Sequence, residues 1–188
     1  MKYLLPALVM TTAAAAIWAA GANTNKPAPV NPEHRATATV AGGCFWGLQE
    51  TLQKIPGVIT TTVGYTGGTT KNPTYESVVT RKTGHMEAVK VTFDPTKVNY
   101  ENLLVNFLNA RNPLAKNGAK SAHCSTIFYH DEEQRQSAER VKEKLNHSGK
   151  WNEPVVGEIH AATKFYPAEK YHQNYYQKSA ATRACGAD

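Results

Sequence analysis

Gly42-Gly43-Cys44-Phe45-Trp46-Gly47 separates a run of small and β-branched residues, 36–41, from an amphipathic run that extends to Ile55. A cysteine at this junction stands at the predicted start of a helix. Unpaired backbone N–H groups and the helix dipole favour the thiolate there. The stretch therefore predicts a nucleophilic thiol at a strand-to-helix turn, with two aromatic residues beside it. The alternative at this point is that Cys44 is a small buried hydrophobic residue, as many cysteines are.

Hydrophobic spacing on the rest of the chain predicts an α+β fold. β-rich runs predict five strands, at 36–41, 58–65, 87–93, 125–129 and 155–161. Apolar spacing and capping residues predict helices over 45–55, near 75–79, from Tyr100 through Leu108, after an Asp131 cap and over 168–177. The main elements follow the order β-α-β-β-α-β. We therefore expect a two-layer α/β sandwich with a ferredoxin-like (split βαβ) core, plus added helices and long loops.

The N-terminal residues have the pattern of an export signal. Lys2 gives a positive start, an apolar run follows, and Ala20-Gly21-Ala22 is a small-x-small cleavage site. We predict a signal peptide over 1–22, a proline-containing flexible tether over 23–35, and a single domain over 36–188 with a mobile C-terminal tail. The protein is then exported, periplasmic or otherwise extracytoplasmic. An uncleaved leader that tethers it to the membrane is the alternative, although the apolar run is short for a spanning helix.

Composition limits the classes of function. The 188 residues suit one domain, and the net charge of +6 comes from lysines and arginines that are mostly single. A nucleic-acid partner would need clustered basic residues, so we expect none. Three cysteines, Cys44, Cys124 and Cys185, are an odd number for a disulfide framework, and no C-x-x-C spacing supports a metal site. One disulfide bridge plus one free thiol, or a catalytic pair of cysteines that is oxidised and regenerated, fits this count better.

Five blocks together resemble the A-type peptide methionine sulfoxide reductases. The resemblance extends over roughly 39–177, and the blocks occur in the order and spacing of that family. They are Gly43-Cys44-Phe45-Trp46-Gly47, Gly64-Tyr65-Thr66-Gly67-Gly68, Asn72-Pro73-Thr74-Tyr75, Gly84-His85-Met86-Glu87-Ala88-Val89 and Phe165-Tyr166-Pro167-Ala168-Glu169-Lys170-Tyr171-His172-Gln173.

The resemblance implies roles for five residues of these blocks. Cys44 attacks the sulfoxide sulfur and becomes a sulfenic acid as methionine is released. Phe45 and Trp46 hold the S-methyl group, and Tyr75 bonds to the sulfoxide oxygen. Glu87 donates the proton, a role that requires a partly desolvated carboxyl group. The family's stereochemistry implies the S epimer, while His85 and His172 are interpreted as structural.

Regeneration of Cys44 requires a second thiol. Cys185, between glycine and alanine residues near the C-terminus, resembles the family's resolving cysteine, and Cys124 is the alternative. We expect no cofactor, and an external dithiol reductant such as thioredoxin. A monomer is expected, because the fold needs no partner to bury its core.

Residues 111–125 differ from the family pattern. The loop is about four residues shorter by comparison with the family, and it lacks the acidic residue and the Q-Y-R triplet; His123 and Cys124 stand at the last two of those positions. His123 is the candidate replacement donor to the sulfoxide oxygen, because a protonated imidazole can donate. Either the loop is a variant with altered substrate preference or it impairs the enzyme. In the second case the protein is a catalytically weak relative that binds oxidised or apolar peptide segments.

Overall fold

The computed structural model describes residues 35–110, 125–149 and 157–178. Within these ranges the chain forms six strands and five helices. In chain order they are β1 (Ala36–Ala41), α1 (Phe45–Gln53), β2 (Val58–Thr66), α2 (Tyr75–Val79), β3 (Met86–Phe93), α3 (Tyr100–Ala110), β4 (Ser125–Tyr129), α4 (Glu132–Asn146), β5 (Gly157–Ala161), β6 (Tyr166–Pro167) and α5 (Tyr175–Lys178).

The six strands form one sheet in the order β5-β4-β1-β3-β2-β6. β3 is antiparallel to both β1 and β2, so β1 and β2 run in the same direction on either side of it. β4 is antiparallel to β1, and β5 adds to β4 in parallel. The predicted α+β class is confirmed, whereas the assignment of the central strands to a ferredoxin-like core stays a prediction.

The main core lies between the sheet and its helices. α1 packs on β2 and β3, α4 packs on β4 and β5, and α3 contacts both of these helices. Phe45, Leu48 and Leu52 of α1 are completely or almost completely buried, which agrees with their spacing of three and four residues. Each such side chain contributes about 1.5–3 kcal/mol through burial. The start of α1, and with it Cys44, is therefore fixed to the sheet by the core.

The Asp131 cap predicted from sequence is present at the start of α4. The Asp131 carboxylate accepts the backbone N–H of Gln134 at 2.8 Å, and Gln134 Oε1 accepts the N–H of His130 at 3.0 Å. The first bond satisfies an N–H group that the first turn of a helix leaves without a partner, and the second holds the residue before the cap. α4 therefore begins where the sequence pattern indicates.

The prediction of a helix over 168–177 is wrong for most of its length. Turns occupy most of 168–174, and only Tyr175–Lys178 is helical, while 166–167 forms the unpredicted strand β6. The Gln173 side chain accepts the N–H of Val63 and donates to the carbonyl oxygen of the same residue, at 3.0 and 2.9 Å. Its amide thus continues the edge of β2 in place of a backbone, and Asn174 then turns with φ +54°. Tertiary hydrogen bonds override the local helical pattern here.

Several predicted segments lie outside the described residues. They are the signal peptide, the tether except Arg35, the divergent loop except Ser125, and the tail that follows Lys178. Across 35–110, 125–149 and 157–178, none of the helices combines the length and the apolar character needed to span a bilayer.

Candidate active site

Cys44 occupies the N-cap position of α1. Gly43 before it has φ +66°, a conformation that favours glycine, and the turn brings the chain from β1 into the helix. The carbonyl oxygen of Cys44 accepts the N–H of Leu48 at 3.4 Å, and the residue is partly exposed. The predicted strand-to-helix turn is confirmed, and the cysteine stands where the positive end of the helix dipole acts.

Glu87 reaches the same helix start from the sheet. It lies on β3 opposite Tyr65 of β2, and its Oε2 accepts the backbone N–H of Phe45 at 3.0 Å. That N–H is one of the donors that a helix leaves unpaired in its first turn. The carboxyl group is therefore fixed beside the residue that follows Cys44.

Trp46 is held from two sides. Its ring stacks on Tyr175 with a centroid distance of 3.8 Å and an angle of 5° between the planes. Its Nε1–H donates to Nδ1 of His172 at 3.0 Å. The plane and the rotation of the indole are both determined by these contacts, so Trp46 forms a rigid wall next to Cys44.

His172 connects the aromatic residues of the site. It is 2% exposed, and its ring centroid lies 5.1 Å from that of Phe45, 5.5 Å from that of Trp46 and 4.6 Å from that of Tyr75. Because an indole N–H can only donate, Nδ1 is the acceptor and the hydrogen of a neutral imidazole is on Nε2. Burial lowers the pKa of His172, although the charges of Glu169 and Glu76 oppose this effect. The imidazole is thus neutral at pH 7.

Glu169 holds Tyr75 and Tyr65 with its two oxygens. Oε1 accepts the backbone N–H of Tyr75 at 3.0 Å, and Oε2 accepts the hydroxyl of Tyr65 at 2.8 Å. Burial raises the pKa of Glu169, but the donors around it and the nearby His172 outweigh burial, and the net pKa is lowered. Burial, the bond to Glu169 and the charges of Glu169 and Glu87 raise the pKa of Tyr65, so its hydroxyl keeps the proton that it donates.

Phe45 belongs to the core as well as to the site. Its ring is 0% exposed and lies 5.9 Å from the ring of Tyr65 and 6.4 Å from that of Trp46, centroid to centroid. Trp46, by contrast, retains exposed surface. Phe45 therefore supports the site from the core side. Its predicted contact with a substrate methyl group stays a prediction.

These groups assemble a thiol, a carboxyl group and aromatic walls within one small region. The family profile described as "Peptide methionine sulfoxide reductase" matches residues 36–188. The chain belongs to this family. The reductase therefore reduces methionine sulfoxide to methionine.

Individual relatives agree with this assignment. The reductase is 47% identical over 145 residues to "Peptide methionine sulfoxide reductase MsrA" of Methanosarcina acetivorans, which covers 75% of this chain and 77% of the relative. Among solved structures, Mxr1 from Saccharomyces cerevisiae in reduced form has a TM-score of 0.75 at 26% identity, over 85% of this chain and 93% of that one. Methionine sulfoxide reductase A of Corynebacterium diphtheriae has a TM-score of 0.65 at 29% identity, over 84% of each chain. A structure of Mxr1 in complex with Trx2, at 20% identity, has a TM-score of 0.53 over 78% of this chain and 88% of that one, and shows the fold alone.

The structure links five of the reductase's predicted site residues. The residues Cys44, Phe45 and Trp46 are consecutive, and Glu87 is bonded to the second of them. Tyr75 joins through its ring contact with His172. The remaining predicted residues, His123, Cys124 and Cys185, lie outside the described residues.

Two residues of the reductase's site were not assigned a role from sequence. Glu169 and His172 were visible only as letters of the last block, and His172 was interpreted as structural. Both contact Tyr75, a residue that lies 94 positions before Glu169 in the chain. A carboxylate and an imidazole three residues apart, in a block rich in tyrosines, are the signal that could have indicated this pairing.

The described residues offer no metal site to the reductase. Within 35–110, 125–149 and 157–178, no group of three or more His, Cys, Asp or Glu side chains is arranged to hold an ion.

Proposed function

We propose that Cys44 is the nucleophile of the reductase. Its thiolate attacks the sulfur of methionine sulfoxide, and the S–O bond of the substrate breaks as the oxygen passes to Cys44. Methionine leaves, and Cys44 remains as a sulfenic acid, so the substrate sulfur is reduced by two electrons and the cysteine sulfur is oxidised by two. The position of Cys44 at the start of α1 supports this role.

Glu87 supplies the proton that the departing oxygen needs. The observation that carries this assignment is the 3.0 Å bond between Glu87 Oε2 and the N–H of Phe45, because it fixes a carboxyl group next to the residue that bears the thiol. A positioned acid of this kind typically contributes a factor of about 10²–10⁴ in rate. Tyr75 is the hydrogen-bond donor to the sulfoxide oxygen, and the rigid Trp46 ring forms the wall against which the S-methyl group packs. The S epimer of the sulfoxide is the substrate.

A second thiol and an external dithiol regenerate Cys44. Cys185 attacks the sulfenic acid, and a disulfide forms with loss of one water molecule; Cys124 is the alternative resolving residue. A thioredoxin-type dithiol then reduces this disulfide by exchange, as the complex of the like-folded Mxr1 with Trx2 suggests. No prosthetic group takes part in these steps.

Methionine release tests the assignment of Cys44. The full chain is incubated with the S and R epimers of methionine sulfoxide separately, in the presence of dithiothreitol, and free methionine is measured. We expect release from the S epimer only, and none from Cys44→Ser. Saturable sulfoxide binding without release would instead support a catalytically weak binding protein. Equal release by Cys44→Ser would remove Cys44 from the mechanism.

Recycling is tested separately with thioredoxin as the only reductant. Cys185→Ser should still form one methionine per chain in a single turnover but should lose multiple turnovers, while Cys124→Ser should retain them. The opposite result would exchange the two roles.

The protein is exported and works in the periplasm or another extracytoplasmic compartment. This part of the proposal rests on the leader pattern of 1–22, with cleavage after Ala22. Mass spectrometry of protein recovered from fractionated cells tests it. A mature N-terminus at Asn23 outside the cytoplasm is expected, and an intact leader in the cytoplasmic fraction would contradict it.

A further inference from the structure

Tyr75 is the first residue of the short helix α2, which has a capping box and buries Val78. α2 has five residues, and a helix of this length is marginal by itself, because nucleation fixes several dihedral angles and few hydrogen bonds follow. Thr74 caps it by accepting the N–H of Ser77 at 3.4 Å, but the N–H of Tyr75, at the first helical position, has no partner inside the helix. Glu169 Oε1 is its acceptor at 3.0 Å.

The segment that carries Glu169 is itself fixed to the sheet. The N–H of Ala168 donates to the carbonyl oxygen of Val63 on β2 at 2.9 Å, and Ala168 is 7% exposed. The N–H of His172 donates to the carbonyl oxygen of Glu169 at 3.0 Å. The second carboxylate oxygen accepts the hydroxyl of Tyr65, whose ring is completely buried in β2. Both the backbone and the side chain of Glu169 are thus determined by groups of the sheet and core.

We infer that Glu169 is a positioning residue for the reaction and acts through Tyr75. Its carboxylate connects the buried Tyr65 hydroxyl to the backbone N–H of Tyr75 through two hydrogen bonds. This keeps the Tyr75 ring in contact with His172 and its hydroxyl group in place for the sulfoxide oxygen. This inference rests on the proposed role of Tyr75 as the donor to that oxygen. A displacement of about 1 Å in such a group can cost on the order of 10²-fold in rate.

Replacement variants separate the two bonds of Glu169. Glu169→Ala removes both, and we expect the single-turnover rate of methionine formation at saturating substrate to fall by about tenfold to a hundredfold. The substrate concentration for half-maximal rate should stay within about threefold, because the ground-state pocket retains Trp46. Glu169→Gln keeps an oxygen for the N–H of Tyr75 and a group that can donate to Tyr65, so it should recover a rate within about threefold of the original. Tyr65→Phe should cost less than Glu169→Ala, since the bond to Tyr75 remains.

A double-mutant cycle with Tyr75→Phe is the decisive measurement. If Glu169 acts through the Tyr75 hydroxyl, Glu169→Ala should slow the Tyr75→Phe protein by less than about twofold, because the group to be positioned is already gone. The amide of residue 75 should lose hydrogen-exchange protection in Glu169→Ala and keep it in Glu169→Gln. Single turnover without reductant makes these results independent of the recycling cysteines.

Each contrary result has a separate meaning. If Glu169→Ala slows the Tyr75→Phe protein by the same factor as it slows the original protein, the positioning role is overturned while Tyr75 remains the donor. The positioning role is also overturned if the Glu169→Ala protein keeps the original rate although the amide of residue 75 has lost its hydrogen-exchange protection. An unchanged rate in Tyr75→Phe would overturn both the positioning role and the proposed role of Tyr75, but not that of Cys44, which the Cys44→Ser assay reports.

Discussion

Replacing His172 with phenylalanine should destabilise the reductase through Trp46. The imidazole is 2% exposed, and its Nδ1 accepts the Trp46 indole N–H at 3.0 Å. Phenylalanine keeps a ring against the neighbouring aromatic residues but offers no acceptor. A neutral hydrogen bond contributes about 0.5–1.5 kcal/mol net, and a buried donor left without a partner costs about 1–3 kcal/mol. Because Trp46 is only partly buried, we expect a loss of about 1–2 kcal/mol, which corresponds to a fall in Tm of roughly 2–8 °C.

A double-mutant cycle isolates this hydrogen bond from changes in ring packing. In a Trp46→Phe background no indole N–H remains, so His172→Phe should cost about 1 kcal/mol less than it costs in the original protein. The free energy of unfolding of the four proteins is measured by urea titration, followed by far-UV circular dichroism because one change removes a fluorophore. A coupling energy below about 0.5 kcal/mol, which is the usual limit of additivity, would refute the reasoning.

His85 provides a matched control for this cycle. It is 6% exposed, and its ring nitrogens bond to the N–H of Gly68 and to the carbonyl oxygen of Thr70, at 3.2 and 2.8 Å. Replacing it with phenylalanine also removes a buried imidazole, but one that does not bond to Trp46. His85→Phe and Trp46→Phe should therefore be additive within about 0.5 kcal/mol. Coupling of the same size in both cycles would mean that the measurement reports on general loosening of the core.

Three further predictions concern the site. Glu87→Gln leaves an amide oxygen for the N–H of Phe45, so Tm should change little, whereas the single-turnover rate should fall by roughly 10²–10⁴; equal rates would contradict its role as the acid. Phe45→Leu should lower the free energy of unfolding in urea by roughly 1–3 kcal/mol, because the ring is completely buried; unchanged stability with weaker substrate binding would place the ring on the pocket surface instead. Burial lowers the pKa of His172 in the folded protein, despite the opposing charges of Glu169 and Glu76. As the pH falls below about 6.5, this imidazole therefore takes up a proton more readily in the unfolded chain than in the folded one, and the free energy of unfolding should fall. The urea midpoint of the original protein should then depend more steeply on pH in this range than that of His172→Phe, and equal slopes would exclude the effect.

The parts of the fold that depend on local pattern were predictable. β1, α2 and β4 have the bounds that the sequence indicates, because alternation, capping and turn residues act over a few positions. The start of α1 at Cys44 follows from the change of period at that residue. The proximity of Glu87 to this start required the resemblance to a family, since the pairing of β1 with β3, which places Ala88 opposite Ala41 just before the helix, is not encoded locally.

The aromatic interior of the site was not predictable, because it depends on contacts between distant segments. Residues 168–177 were predicted as helix from their composition, yet most of 168–174 forms turns, and Gln173 bonds to both backbone groups of Val63 and holds these turns against β2. Gly64 permits this approach, since a Cβ there would lie 2.3 Å from the carbonyl oxygen of Tyr166. His172 is brought under Trp46 only as a consequence of this packing. Side-chain pairs more than a hundred residues apart leave no periodic signal.

These long-range contacts bear on the divergent loop at 111–125. Trp46 is fixed by Tyr175 and His172, and Tyr75 is fixed by Glu169 and His172, so none of these contacts uses a residue of the loop. Among the described residues, both walls therefore have partners that do not depend on the sequence of the loop. If the reductase is slower than its relatives, we expect the cause to be a group that the loop fails to supply to the substrate, such as a second donor to the sulfoxide oxygen. That deficit lowers the rate of the chemical step in a protein of ordinary stability, whereas damage to the walls would lower both together.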